Sequence, residues 1–254
     1  MNVRQSIIFF LALTGLFVSV SAQTATDEFD RGNALYRDGK FEQAAGAYEV
    51  ILRQGVTTPA IYFNLGNSYY RMGRTAQTIL AYERALRLRP NDPDIRHNLA
   101  LVNLKTLDRI EPLPELFFID WLRTISSYVP LHTTIWLFAF GWLLMFGSLA
   151  ALYLVTNFNA LRFLRPVTII SMVALIPISV LLVTQFADSR NRNDAIVTAT
   201  VATAKTSPDS QSLDAFVIHE GLKVKLSDSV GDWLKIVLAD GKVGWILSQD
   251  CERI

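Results

Sequence analysis

The sequence predicts a multidomain fold: an α-helical solenoid, two transmembrane α-helices and a small all-β barrel. Three observations predict it. The chain resembles itself at a spacing of 34 residues near its N-terminus, carries two long uncharged apolar runs in its middle, and turns to a period of two after residue 194. Composition agrees, because 51% hydrophobic against 19% charged residues is too apolar for an ordinary soluble domain and the excess must be concentrated in segments. A net charge of +1, with basic residues spread along the chain, leaves no electrostatic footprint for nucleic acid.

The first element is a signal peptide over residues 1–22. Arg4 follows the initiating Met1, an apolar run spans 7–20, and Val20-Ser21-Ala22 places small residues where signal peptidase accepts them. An uncleaved anchor is the alternative; either way the following segment is expected outside the cytoplasm.

The second element is the repeat array, residues 24–108. Gly32-Asn33 recurs as Gly66-Asn67, Tyr36 as Tyr70, Gly39 as Gly73, Tyr48 as Tyr82 and Leu52 as Leu86. Thirty-four residues is the period of the helix-turn-helix unit of a tetratricopeptide-repeat (TPR) solenoid. The residue types suit that unit: Gly32 and Gly66 allow close helix approach, Gly39 and Gly73 serve the turns, and Tyr48 and Tyr82 fill the core. Repeats are expected at 25–58 and 59–92, followed by a capping helix at 93–108, where Asn98-Leu99-Ala100 aligns with Asn64-Leu65-Gly66. So short an array is expected to lean on the membrane helices, the C-terminal domain or a partner.

First helices of such repeats line a concave groove, and the groove positions here include Asn33, Tyr36, Arg37, Asn64, Asn67, Tyr70, Arg71 and Asn98, with Phe29, Phe63 and His97 beside them. Asparagine amides can bond an extended peptide, and the tyrosines and arginines supply contact area and charge. The same asparagines could instead brace neighbouring helices. Asn33 and Asn64 resemble two positions of the carboxylate clamp of chaperone-binding TPR proteins. Phe29, Asp94 and Asn98 replace that clamp's basic partners.

Residues 109–133 form a linker in which Phe117, Phe118, Trp121, Leu122, Ile125 and Val129 share one helical face. That face suits a helix lying in the membrane interface, and equally one packed on the array. Transmembrane helices are expected at 134–156 and 166–187, each near the length of about 20 residues that a bilayer requires. A short cytoplasmic loop, 157–165, carries Arg162 and Arg165. The pair then returns the chain to its starting side, so both soluble domains are extracytoplasmic.

The last element spans 194–254. Leu222 to Leu226 alternates apolar and basic residues, and Asp240-Gly241 marks a two-residue hairpin loop between Trp233-Leu234-Lys235-Ile236-Val237 and Val243-Gly244-Trp245-Ile246. His219 to Gly221, Gly231-Asp232-Trp233 and Asp240 to Trp245 resemble the motifs of the bacterial SH3 domain, which implies an SH3-like barrel. Lys205-Thr206-Ser207-Pro208 departs from that family, whose members often carry Arg-Ser before the loop. Trp233 and Trp245 are candidates for its recognition surface, since indoles give large contact area at low entropy cost; packing inside the barrel is the other reading.

No chemistry-bearing motif emerges. His97, His132 and His219 fall in separate segments, Cys251 is the sole cysteine, and no Walker loop, dinucleotide fingerprint or nucleophile elbow occurs. No enzyme activity, cofactor or metal is expected.

The order of elements, with Asn91 to Leu99 and the Ile110-Glu111-Pro112-Leu113-Pro114 linker, resembles the BatE family of the bacterial aerotolerance (Bat) operon. The resemblance implies a two-pass protein of the bacterial inner membrane, in a stress-related complex with von Willebrand factor A-type membrane proteins and a MoxR-type ATPase. The residues alone support a protein-binding adaptor. Two other readings stay open: a tether to cell-wall peptidoglycan and a regulatory subunit of a wall hydrolase.

Overall fold

The computed structural model describes residues 24–111, 113, 117–190 and 193–254. The expected signal segment, 1–22, lies outside them. The described residues divide into two units, one of residues 24–111 with 194–254 and one of the residues between them.

In the first unit, residues 24–37 form α1, followed by α2 (Phe41–Arg53), α3 (Pro59–Arg71), α4 (Thr75–Leu88) and α5 (Pro93–Asn103). Local signals set the boundaries. Thr58 and Asp92 cap α3 and α5 by accepting hydrogen bonds from Ile61 N and from Asp94 and Ile95 N, and a proline opens each helix. The turns after α1 and α3 repeat each other: Gly39 and Gly73 take φ of 77° and 75°, while Lys40 N and Arg74 N donate back to Leu35 O and Tyr69 O. That is the glycine-terminated helix end in which a left-handed residue reverses the chain. The expected cap, 93–108, is helical only to Asn103.

A second repetition lies in the core. Tyr48 and Tyr82 are 0% and 2% exposed, and each ring covers the glycine of the preceding helix. A Cβ on Gly32 would stand 2.7 Å from Tyr48, and one on Gly66 2.6 Å from Tyr82. Only glycine lets the two helices of each repeat approach over an aromatic ring.

Residues 194–254 form seven antiparallel strands: β1 (Asp194–Val197), β2 (Val201–Lys205), β3 (Asp214–His219), β4 (Lys223–Val230), β5 (Trp233–Val237), β6 (Val243–Leu247) and β7 (Cys251–Arg253). They lie in the order β3-β2-β6-β5-β4-β1-β7. No ladder joins β3 to β7, so the sheet is open where a closed barrel was expected. Ala202, Ala204, Val224, Leu226, Leu234, Ile236 and Ile246 alternate inward and form its core. The β5–β6 connection is longer than the expected two-residue loop. Leu238 N bonds Lys242 O and Gly241 N bonds Leu238 O, with Gly241 at φ 87°: a tight turn followed by a left-handed glycine. Asp240 holds it by accepting from Lys242 N at 3.1 Å.

The array leans on this sheet. Ile196 of β1 is fully buried in one cluster with Ala76, Ile79, Ile95 and Leu99 of the helices, and Ile254 packs against it. Polar contacts surround that seam. Arg84 reaches Glu252 at 2.8 Å and Lys223 reaches Glu83 at 2.9 Å. Asp108 accepts from His219 N at 2.6 Å while its other oxygen lies 2.9 Å from His219 Nδ1. Arg87 donates to Ile254 O.

The second unit contains α6 (Phe117–Tyr128), α7 (Leu131–Leu154) and α8 (Phe158–Arg190). Helix α7 and residues 158–187 of α8 are long and apolar enough to cross a membrane, with mean hydropathy 2.0 and 2.5. They pack as a hairpin in which Gly141 meets Leu175 and Thr168 Oγ1 donates to Ser148 Oγ at 2.8 Å. Large apolar side chains such as Trp136, Leu143, Ile169 and Ile170 point outward. The loop expected at 157–165 is instead mostly the start of α8, and Arg162 and Arg165 lie on that helix. Asn157 explains this, because its side chain accepts from Asn159 N and its carbonyl from Leu161 N, which starts the helix eight residues before Pro166. Both Pro166 and Pro177 lie inside α8. Gln185 of α8 ties the corner of α6 and α7 by donating to Val129 O at 2.8 Å.

Candidate functional site: a donor-lined groove on the array

The repeat period extends to the hydrogen bonds. Asn33 Oδ1 accepts from Tyr48 OH at 2.8 Å and from Asn64 Nδ2 at 2.9 Å. One period later, Asn67 Oδ1 accepts from Tyr82 OH at 2.7 Å and from Asn98 Nδ2 at 3.4 Å. Each triad joins three successive helices, so these asparagines brace the array. The bracing tyrosines have their own repeat-related neighbours: Phe29 stands 5.9 Å from Tyr48 and Phe63 5.7 Å from Tyr82 between ring centroids. Phe29 and Phe63 are thus partly buried packing residues.

The triads also line two adjoining pockets. The first, about 160 Å³, is bounded by Asn33, Tyr36, Arg37, Tyr48, Asn64 and Asn67; the second, about 90 Å³, by Tyr36, Asn67, Tyr70, Tyr82, Asn98 and Leu101. Seven of the eight groove residues expected from sequence therefore meet here. The eighth, Arg71, stacks 4.6 Å over the ring of Phe41, itself 5.2 Å from Tyr36. His97 is exposed on α5 and lines neither pocket. Lys105, which the sequence reading missed, lies with its ammonium 3.9 Å over the ring of Tyr70. It lies past the end of α5, and no periodic signal marks it.

Burial pushes the Tyr48 phenol up to about 12 and raises that of Tyr82 further still. Both stay protonated donors at every physiological pH, so the ladder keeps its polarity.

A larger hollow, about 370 Å³, lies on another side of the helices, lined by Leu52, Leu65 and Leu80 below and by Glu49, Arg84 and Glu252 at the rim. Its rim groups are satisfied within the molecule: Tyr69 OH donates to Glu49 at 2.5 Å and Arg84 pairs with Glu252. Sequence reasoning missed it because Glu252 arrives from β7.

Trp233 and Trp245 stand half-buried on the sheet face away from the core, since Leu234, Ile236, Gly244 and Ile246 alternate to the inside. Lys235, directly across from Trp245 in the ladder, lies 5.8 Å from its ring. Cys251 is buried in β7, and burial pushes its thiol up to about 11, so it carries no reactive thiolate. Among the described residues no cluster of histidine, cysteine or carboxylate side chains could hold a metal.

No curated protein matches the chain. Residues 66–106, from the middle of α3 through α4 and α5, match the family model for the TPR repeat, so the chain contains a TPR repeat, a motif of protein–protein interaction.

Proposed function

We propose that the chain is a membrane-anchored, non-enzymatic adaptor that binds partner proteins through the groove of its TPR array. The pair of donor-lined pockets carries this reading, because it repeats with the sequence period and presents aromatic area, amides and cations on one surface. Helices α7 and α8 serve as the anchor, and the array and sheet lie outside the cytoplasm. On this reading the adaptor belongs to an inner-membrane complex related to aerotolerance, with von Willebrand factor A-type proteins as partners, which is what the resemblance to the BatE family implies. The sheet is read as a bacterial SH3-like module.

The test is affinity capture from detergent-solubilised membranes of the native host. Wild type is expected to recover von Willebrand factor A-type membrane proteins, and a Tyr36→Ala/Arg37→Ala variant to lose them while melting like wild type. Asn33, Asn64, Asn67 and Asn98 are poor choices for this variant because their removal would unbrace the helices. Recovery unchanged by the variant would move the partner site elsewhere.

The half-buried tryptophan pair beside Lys235 favours a second reading, a peptidoglycan tether. In that case the full chain in micelles sediments with purified wall sacculi, and Trp245→Ala abolishes sedimentation.

A further inference from the structure

We infer that the groove selects an extended peptide segment bearing acidic side chains; this rests on the groove being the partner site. The polarity of the asparagine ladder is the starting point. Asn33 Oδ1 and Asn67 Oδ1 each receive two donors, which fixes how the two amides are turned. Their oxygens face the helices, so their Nδ2 groups keep donor capacity for a ligand. The groove thus offers donors, at two points one repeat apart.

Charge points the same way. Neither pocket has a carboxylate in its lining. Cations stand at and beside the groove: Arg37 lines the first pocket, Arg71 lies on the Phe41 ring next to Tyr36, and Lys105 on the Tyr70 ring at the second pocket. Several cations elsewhere in this unit pair with carboxylates, as in Arg74–Glu42 at 2.8 Å, Arg84–Glu252 at 2.8 Å and Lys223–Glu83 at 2.9 Å. A ligand supplying acceptors and negative charge completes both features. Amide donors suit the carbonyls of an extended backbone, and Arg37, Arg71 and Lys105 suit the side-chain carboxylates it carries. Terminal carboxylate capture is not required, since Phe29, Asp94 and Asn98 stand where the clamp carries its basic residues.

The test uses the full chain in neutral detergent micelles and fluorescein-labelled peptides of about twelve residues, long enough to run extended across both pockets. All are acetylated and amidated, so no terminal charge contributes. Alternating Ser-Asp, Ser-Asn and Ser-Lys repeats are compared by fluorescence anisotropy. The Ser-Asp peptide is expected to bind about tenfold or more tightly than Ser-Asn, with the difference shrinking as salt rises from about 50 mM to about 500 mM. An Arg37→Gln/Lys105→Gln variant is expected to erase that difference without lowering the melting midpoint, whereas Lys225→Gln on the sheet leaves it intact. Equal binding of Ser-Asp and Ser-Asn, both lost in Tyr36→Ala, overturns the acidic preference and leaves the groove as the partner site. Acidic binding that survives Arg37→Gln/Lys105→Gln overturns it as well, and binding of no peptide counts against both readings.

Discussion

At the residue scale, Tyr48 and Tyr82 do two jobs that pull against each other. Each ring must be buried to fill the core, and each hydroxyl must reach an asparagine at the groove. Tyr48→Phe and Tyr82→Phe are therefore expected to cost about 1 kcal/mol each, the net worth of one hydrogen bond, because the ring still packs. Chemical denaturation of the full chain in micelles measures it. The raised pKa of Tyr48 also predicts a pH dependence. Its folded value of about 12 lies above the ordinary value of 10.0, so its contribution to stability is complete below pH 10 and is lost as pH rises from 10 toward 12. Melting midpoints measured across that window should fall less in Tyr48→Phe than in wild type. The identities of these residues were legible from the repeat. Their bonding was not, since nothing in a sequence says which of two amides will point its oxygen at a given hydroxyl.

At the scale of elements, the glycines divide by task. Gly66→Ala would drive a Cβ to 2.6 Å from the Tyr82 ring, an overpacking expected to cost about 1–3 kcal/mol and to raise proteolysis of α3 and α4. Gly39 has open space around it, and its substitution is resisted only by backbone conformation. Gly39→Ala should cost about 1 kcal/mol and leave ligand-facing residues in place, as circular dichroism melts can decide. These helices were readable because each carries its own period and caps. The start of α8 was less so: the short gap between the two apolar runs suggested a loop carrying Arg162 and Arg165, but the local cap at Asn157 prevailed and the helix begins within that gap. The β5–β6 turn was mistaken by one step for a related reason, because Asp-Gly fits both a two-residue loop and a turn ending in left-handed glycine.

At the scale of the whole molecule, the sequence suggested separate modules, and the array and sheet instead share one compact unit. The residues responsible are far apart in the chain: Ile196 enters the helical core, and Asp108 and His219 meet across 111 positions. Support of the short array by the C-terminal domain was among the expectations, but such contacts leave no local pattern, which is why the residues that make them were not foreseen. Ile196→Ala should cost about 2–5 kcal/mol and loosen hydrogen-exchange protection in α4 and α5 as well as in β1. By contrast, Arg84→Ala/Glu252→Ala should show a coupling of only about 0.2–1 kcal/mol, because both side chains are substantially exposed. Topology is tested in a Cys251→Ser background. Ser210→Cys should react with an impermeant maleimide in spheroplasts, and Asn159→Cys only after lysis; the opposite pattern would invert the proposed orientation.

The burial of Ile196 in the helical core sets a timetable for biosynthesis. The helices up to Asn103 leave the ribosome before the apolar hairpin, but the strand that completes their core follows it. A nascent chain halted before residue 194 carries an array with its last core position empty. Synthesis of the hairpin thus precedes the closing of that core.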